Sequence, residues 1–262
     1  MNQRARQAGF TLIEMMVAMA LGLLLVVVIG QVFVTSKESY RTTEDLSRLQ
    51  ENARFSAAQM SRVIRMAAFV TDTNNPVAAR GVMFPSATAP ALTGADGLAG
   101  APDQVTVRYE GSGAGTADGT VLDCQGNAIR AGDMAVARFY LAAGANGASA
   151  LFCDNAGTVG PGIVPAAVEL ASDVENMQIL YGEDTDADGT ANRYVERTTV
   201  PALDYERVVS VRVAILVRST NQVAASVNTS TYNLLGTVFD PVDDRRLRRM
   251  YTSTITLRNR AP

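Results

Sequence analysis

The sequence has no histidine, a single lysine (Lys37) and only two cysteines. Without histidine, serine-histidine and cysteine-histidine catalysis, HExxH metalloprotease chemistry and every histidine-containing zinc site are excluded. Cys124 and Cys153 are too few for a structural zinc cluster and suffice for one disulfide, so the compartment decides their state. No large charge of either sign is present: 23 basic against 26 acidic side chains give a net charge of −3. That balance supplies no whole-molecule attraction to nucleic acid. No Gly-Lys-Ser/Thr follows the glycines at 111, 113 and 115, which removes a phosphate loop and leaves a flexible connection. What is present is apolar: 47% of 262 residues are hydrophobic, enough for one sizeable core or two small ones.

The apolar residues are unevenly placed. Residues 1–9 are polar and carry Arg4 and Arg6 with no acid, and Phe10 to Val34 is apolar except for Thr11, Glu14, Gln31 and two glycines. As a helix this segment would extend about 37 Å at roughly 1.5 Å per residue, enough to cross a hydrocarbon core about 30 Å thick. Arginines before it, against the mixed set Lys37, Glu38, Arg41, Glu44 and Asp45 after it, predict a cytoplasmic amino terminus and an exported remainder. An oxidising exterior and the lack of a CxxC then predict a Cys124–Cys153 disulfide, worth roughly 3 kcal/mol by chain entropy.

A secretory signal carries its small residue after the apolar core, whereas here Gly9 precedes it. The run Gly9-Phe10-Thr11-Leu12-Ile13-Glu14, with a basic leader ahead and an apolar stretch behind, resembles the signal of the type IV pilin family. The resemblance implies cleavage after Gly9 by a prepilin peptidase and methylation of Phe10. It also implies an assembly role for Glu14, whose family counterpart meets the amine of a neighbouring subunit. A carboxylate within a spanning segment costs about 2.5–3.5 kcal/mol unless partnered. The free amine of Phe10 would lie one helical turn away, and a headgroup-depth glutamate held by water and the positive helix end is the alternative. Gly30 and Gln31 stand where many major pilins carry a helix proline.

Beyond the apolar segment, Leu46, Leu49, Ala53, Ala57, Met60, Ile64 and Ala67 recur every three or four residues. This predicts that the helix continues to about residue 70, stopping before Asn74-Asn75-Pro76, with an apolar stripe for packing on a sheet. Residues 71–103 read as an extended connection. From Gln104 the period becomes two, and strands are predicted at 104–110, 136–142, 176–182, 193–197, 207–218 and 252–258. In the longest, Val209, Val211, Val213, Ile215 and Val217 line one face, as expected of a strand buried on one side. The expected fold is α+β and type IV pilin-like: a leader at 1–9, a long helix with a spanning half at 10–34 and an amphipathic half at 35–70, the connection at 71–103, and an antiparallel head at 104–262.

Two further clusters have a chemistry to weigh. Asp184, Asp186, Asp188 and Asn192 match positions 1, 3, 5 and 9 of a calcium loop around Gly189, but the twelfth position is Val195 and the flanks read as strands. The cluster is therefore a candidate calcium site with a solvated Asp-Gly hairpin turn as its rival; no other cofactor is expected. Arg245, Arg246, Arg248 and Arg249 follow Asp240, Asp243 and Asp244, which predicts local salt bridges in place of a DNA or lipid patch.

The later chain is similar to the PilW group of minor pilins. The likeness rests on its length, on Asn52 to Phe55, the paired cysteines, Tyr181-Gly182 with the acidic loop, the valine-rich strand, and the arginines leading to Thr256-Leu257-Arg258-Asn259-Arg260. It implies a non-enzymatic subunit at the inner membrane, head in the periplasm and later at the pilus tip. The implied partners are other minor pilins, the major pilin, the prepilin peptidase and a PilY-type tip adhesin, with nucleic acid disfavoured. A J-like minor pseudopilin of type II secretion and an anchored calcium-dependent binding module remain the alternatives.

Overall fold

The computed structural model describes residues 11–72, 74, 76–85, 89–158, 160, 163–197 and 203–260, with backbone alone at 76 and 77. Helix α1 spans Leu12–Ile64 and α2 spans Pro76–Met83. The strands are β1 Leu92–Ala95, β2 Gln104–Glu110, β3 Met134–Ala143, β4 Ser149–Asp154, β5 Ala167–Ser172, β6 Val174–Glu183, β7 Arg193–Val195, β8 Val208–Arg218, β9 Tyr232–Leu234, β10 Thr237–Phe239 and β11 Arg248–Thr256. Two compact units divide the chain between Asp45 and Leu46.

The first unit is the amino-terminal part of α1. Its apolar side chains from Leu12 to Val34 are exposed. By length and composition this part of α1 suffices to cross a membrane.

The second unit is an antiparallel head. One sheet runs β1-β2-β3-β4-β5, a second runs β11-β8-β6-β7, and β9 and β10 form a separate hairpin. The chain passes from the first sheet to the second within one residue, Asp173, whose φ of 58° turns the backbone between β5 and β6. Aspartate tolerates that left-handed conformation better than most residues. The turn is fixed from outside: Arg218 Nε donates to Asp173 Oδ1 and Thr220 Oγ1 donates to Asp173 Oδ2, at 3.3 and 2.8 Å.

The core lies where the stripe of α1 meets the inner faces of both sheets. Leu49, Ala53, Met60, Val63 and Ile64 join Val105, Val107 and Tyr109 of β2, Phe139 of β3, Leu151 of β4, Met177, Ile179 and Tyr181 of β6, and Val211, Val213, Ile215 and Val217 of β8 in a single cluster. The periodic stripe thus packs on sheet, as its spacing predicts.

Three expectations need correction. First, α1 stops at Ile64 and not near 70, although neither glycine nor proline stands there. Residues 65–68 form a turn that ends with Ala68 at φ 62°, and Asn259 Nδ2 donates to the carbonyls of Arg65 and Ala67 at 3.3 and 3.2 Å. A residue almost two hundred positions away satisfies carbonyls that the helix leaves open. Second, 71–103 is not merely a connection: it holds α2 and β1, and Pro76 opens α2, where a missing N–H is harmless, instead of closing α1. Third, β8 is not buried on one side only. Ala214 and Leu216 on its other face pack under Leu234, with Tyr232 and Phe239 of the β9-β10 hairpin alongside. The predicted strands correspond to β2, β3, β6, β7, β8 and β11, while β4, β5, β9 and β10 had no clear periodic signal.

Candidate functional site

Three features follow from the sequence: the start of α1, the disulfide region and the acidic loop. Gly9 and Phe10 lie outside the described residues. Just after them, Thr11 and Glu14 bond reciprocally. Glu14 N–H donates to Thr11 Oγ1, and Glu14 Oε2 accepts from both the Thr11 backbone N–H and the Thr11 hydroxyl, each at 3.3 Å. This is a capping box, in which a threonine before the first turn and a glutamate three residues on satisfy two open donors of the helix start. The sequence pattern Thr-x-x-Glu encodes it. The carboxylate therefore has a partner within its own chain.

The disulfide forms as predicted, with Cα atoms 6.3 Å apart, and joins the long β2–β3 connection to β4. Around it the connection is fastened by buried polar groups. Asp123, fully buried, accepts from the backbone N–H groups of Gln125 and Asn127 at 2.9 and 2.8 Å and from the side-chain amides of Asn127 and Asn155 at 2.9 and 3.0 Å. Tyr109 Oη donates to the Leu122 carbonyl at 2.9 Å. The cross-link thus locks a non-periodic stretch against the sheet, where hydrogen bonds within strands cannot reach it.

The acidic loop joins β6 to β7. Asp184, Asp186 and Asp188 each place a carboxylate oxygen within 4.8 Å of the others. Asp184 is buried and accepts the backbone N–H groups of Asp186, Ala187 and Gly189 at 3.2, 2.7 and 2.8 Å. Burial pushes its carboxyl up, but the N–H groups of Gly189 and Ala187, with Asp186, outweigh that and hold it below the ordinary carboxylate range. Asn192 does not join the three: its Oδ1 accepts from Thr185 N–H and Oγ1 at 2.6 and 3.1 Å. Three carboxylates suit a hard cation, yet through one oxygen each they supply at most half of the six to eight oxygens calcium takes. Gly182, just before the loop, lies where a Cβ would overlap Ser210 Oγ and press on Tyr194 and Ala191, both at 2.9 Å. The Tyr181-Gly182 pair is thereby explained: tyrosine fills the core and glycine makes room on the opposite face.

Two of the four clustered arginines pair with carboxylates and a third with a backbone carbonyl. Arg248 bridges Glu175 at 2.6 Å and Asp244 at 2.8 Å, Arg246 meets Asp244 at 3.4 Å, and Arg245 donates to the Ala224 carbonyl at 2.8 Å.

Comparison with known proteins bears on these regions. The model of the type IV pilus-assembly protein W family matches residues 138–259, from β3 through the acidic loop to Asn259. The prokaryotic N-terminal methylation motif matches residues 4–30. A type IV-like pilin from Thermus thermophilus is similar in structure, with a TM-score of 0.52 at 14% identity over 82% of this chain and 98% of that one. The chain is similar to type IV pilins of the PilW kind over these two stretches. The Thermus pilin bears on the fold alone, and there it agrees: a long apolar N-terminal helix and an antiparallel head. No curated protein gives a significant match. The two family matches fall on separate parts of the chain, the methylation motif on the start of α1 and the PilW match on the second half of the head.

Proposed function

We propose that this protein is a minor pilin that helps to prime type IV pilus assembly at the inner membrane and then sits at the pilus tip with other minor pilins beneath a PilY-type adhesin. It acts as a structural subunit and not as an enzyme. Its leader is removed after Gly9 by the prepilin peptidase, Phe10 is methylated, and the head faces the periplasm before export. What supports this reading is the occurrence in one chain of a methylation motif at 4–30 and a PilW match at 138–259. The exposed apolar side chains from Leu12 to Val34 suit lipid first and the apolar helices of neighbouring subunits afterwards.

Deletion of the gene in its own host, with surface pili counted by electron microscopy and protein export followed in parallel, tests it. Few or no pili with normal export is expected. Lost export with normal piliation would instead assign the chain to a secretion system. Calcium is proposed only as an accessory of the acidic loop, with Asp184, Asp186 and Asp188 as ligands and water completing the shell. Saturating calcium at about a hundredfold excess over its dissociation constant should stabilise the head by about 2.7 kcal/mol, with magnesium doing much less. Thermal unfolding without a calcium-dependent shift, or with an equal shift in Asp186→Ala, would remove calcium from this loop.

A further inference from the structure

A cleft of about 350 Å³ in the head is lined by two arginines from opposite ends of its sequence. Arg80 stands in the last turn of α2 and Arg260 just beyond β11; Glu206 lies at the same cleft, and Phe84, Ala68 and Ala91 give it an apolar side. Each arginine commits one N–H to a backbone carbonyl: Arg80 Nη1 donates to Asn259 at 2.7 Å and Arg260 Nη1 to Tyr205 at 2.6 Å. Those bonds hold the side chains in place. A guanidinium has five donors, so most remain available on each. Among the described residues, neither arginine forms a salt bridge. The arginines at the other end of the head differ, because Arg218, Arg246 and Arg248 are all paired with carboxylates.

The local electrostatics favour an added anion. Burial lowers the Arg260 pKa, Glu206 pulls it back up, the neighbouring charge of Arg80 lowers it again, and Asp204 adds a smaller upward pull. Among the lining residues two guanidiniums stand against one carboxylate, with Asp204 near Arg260 but outside the lining. Such a lining suits a monoanion, whereas the second charge of a phosphate would stand against Glu206 and Asp204. Guanidinium also pairs with carboxylate through two parallel hydrogen bonds, and the apolar side favours a ligand whose acid group sits on a hydrocarbon body.

We propose that this cleft binds a carboxylate monoanion carried on an apolar body, with Arg80 and Arg260 holding the carboxylate. The carboxylate has two sources, a free small acid or the end of a peptide chain from another protein. The test is isothermal titration of the full chain in non-ionic detergent with four probes: isovalerate, an Ala-Ala-Ala-Leu peptide with a free carboxyl end, the same peptide amidated, and inorganic phosphate. One or both carboxylates should bind, the amidated peptide should not, and phosphate should bind more weakly. Tighter isovalerate names the free acid as the source, and tighter peptide names a chain end. Arg80→Gln should weaken the preferred carboxylate at least about tenfold. Glu206→Gln should tighten it about threefold, a change of opposite sign that loosened folding would not produce. Binding of the amidated peptide as tight as that of the free one, tighter phosphate, no binding by any probe, or unchanged affinity in Glu206→Gln would overturn the proposal.

Discussion

Two carboxylates show how far a residue's surroundings, and not its type, set its role. Glu14 closes a capping box with Thr11, so the assembly role expected of it would share one side chain with a helix-start role. The two can be separated. Glutamine also completes a capping box, whereas it cannot pair as an anion with an amine. Glu14→Gln should therefore leave helix and membrane insertion intact and still lower co-purification with other minor pilins, while Thr11→Ala should leave co-purification unchanged; the reverse pattern would reduce Glu14 to a cap. Asp103 is the opposite case. It is buried and accepts N–H from Gly97 and Ile179 at 2.9 and 2.8 Å, yet burial outweighs those bonds and pushes its pKa up to about 6. Between the unfolded value near 4 and the folded value near 6 the native state holds the extra proton, so stability falls as pH rises through that window. At about 1.4 kcal/mol per tenfold change in proton affinity, the wild type should lose roughly 3 kcal/mol between pH 4 and 7 relative to Asp103→Asn. Denaturant unfolding of both across that range measures the difference, and parallel pH profiles would contradict it.

Among the elements, the disulfide and α1 are each completed by groups remote in sequence. Cys124 belongs to a connection with little regular structure, held by its bond to Cys153, by buried Asp123 and by the Tyr109 hydroxyl. Cys153→Ser removes the cross-link and leaves the Asp123 network in place, so a loss of about 2–5 kcal/mol is expected. Chemical denaturation measures this, and alkylation without reductant should find no free thiol in the exported wild type. The long helix is completed differently. Its buried stripe follows from spacing alone, but its end follows from Asn259, which reaches the carbonyls of Arg65 and Ala67 from the carboxyl-terminal segment. That segment also brings Arg260 to the cleft beside α2. The Thr256 to Arg260 run thus joins the last strand, the end of α1 and α2.

At the scale of the molecule, the methylation motif at residues 4–30 makes processing the first thing to test, and it should depend on the small residue before the apolar segment. Gly9→Val should block leader removal and assembly, and amino-terminal sequencing that still found mature Phe10 would refute the assignment of the cleavage boundary. The amino-terminal motif, the helical stripe, the valine-rich strand and the cysteine pair were legible in the sequence because each is a local or periodic pattern tied to one physical demand: lipid, a helix face, a pleat or an oxidising compartment. The capping box is equally local, carried by Thr11 and Glu14 three residues apart. What the sequence could not reveal depends on pairings between distant segments. The helix end at Ile64, the opening of α2 by Pro76, the covering of the outer face of β8 and the turning of Asn192 away from the three aspartates all followed from tertiary contacts. The sequence by itself determined which segment is apolar enough to cross a membrane, where the long helix lies and which six segments form β2, β3, β6, β7, β8 and β11, since burial periodicity is written residue by residue. Only the tertiary structure decided where those segments stop and which side chains meet, because a carbonyl or a guanidinium takes its partner from whatever the fold brings within reach.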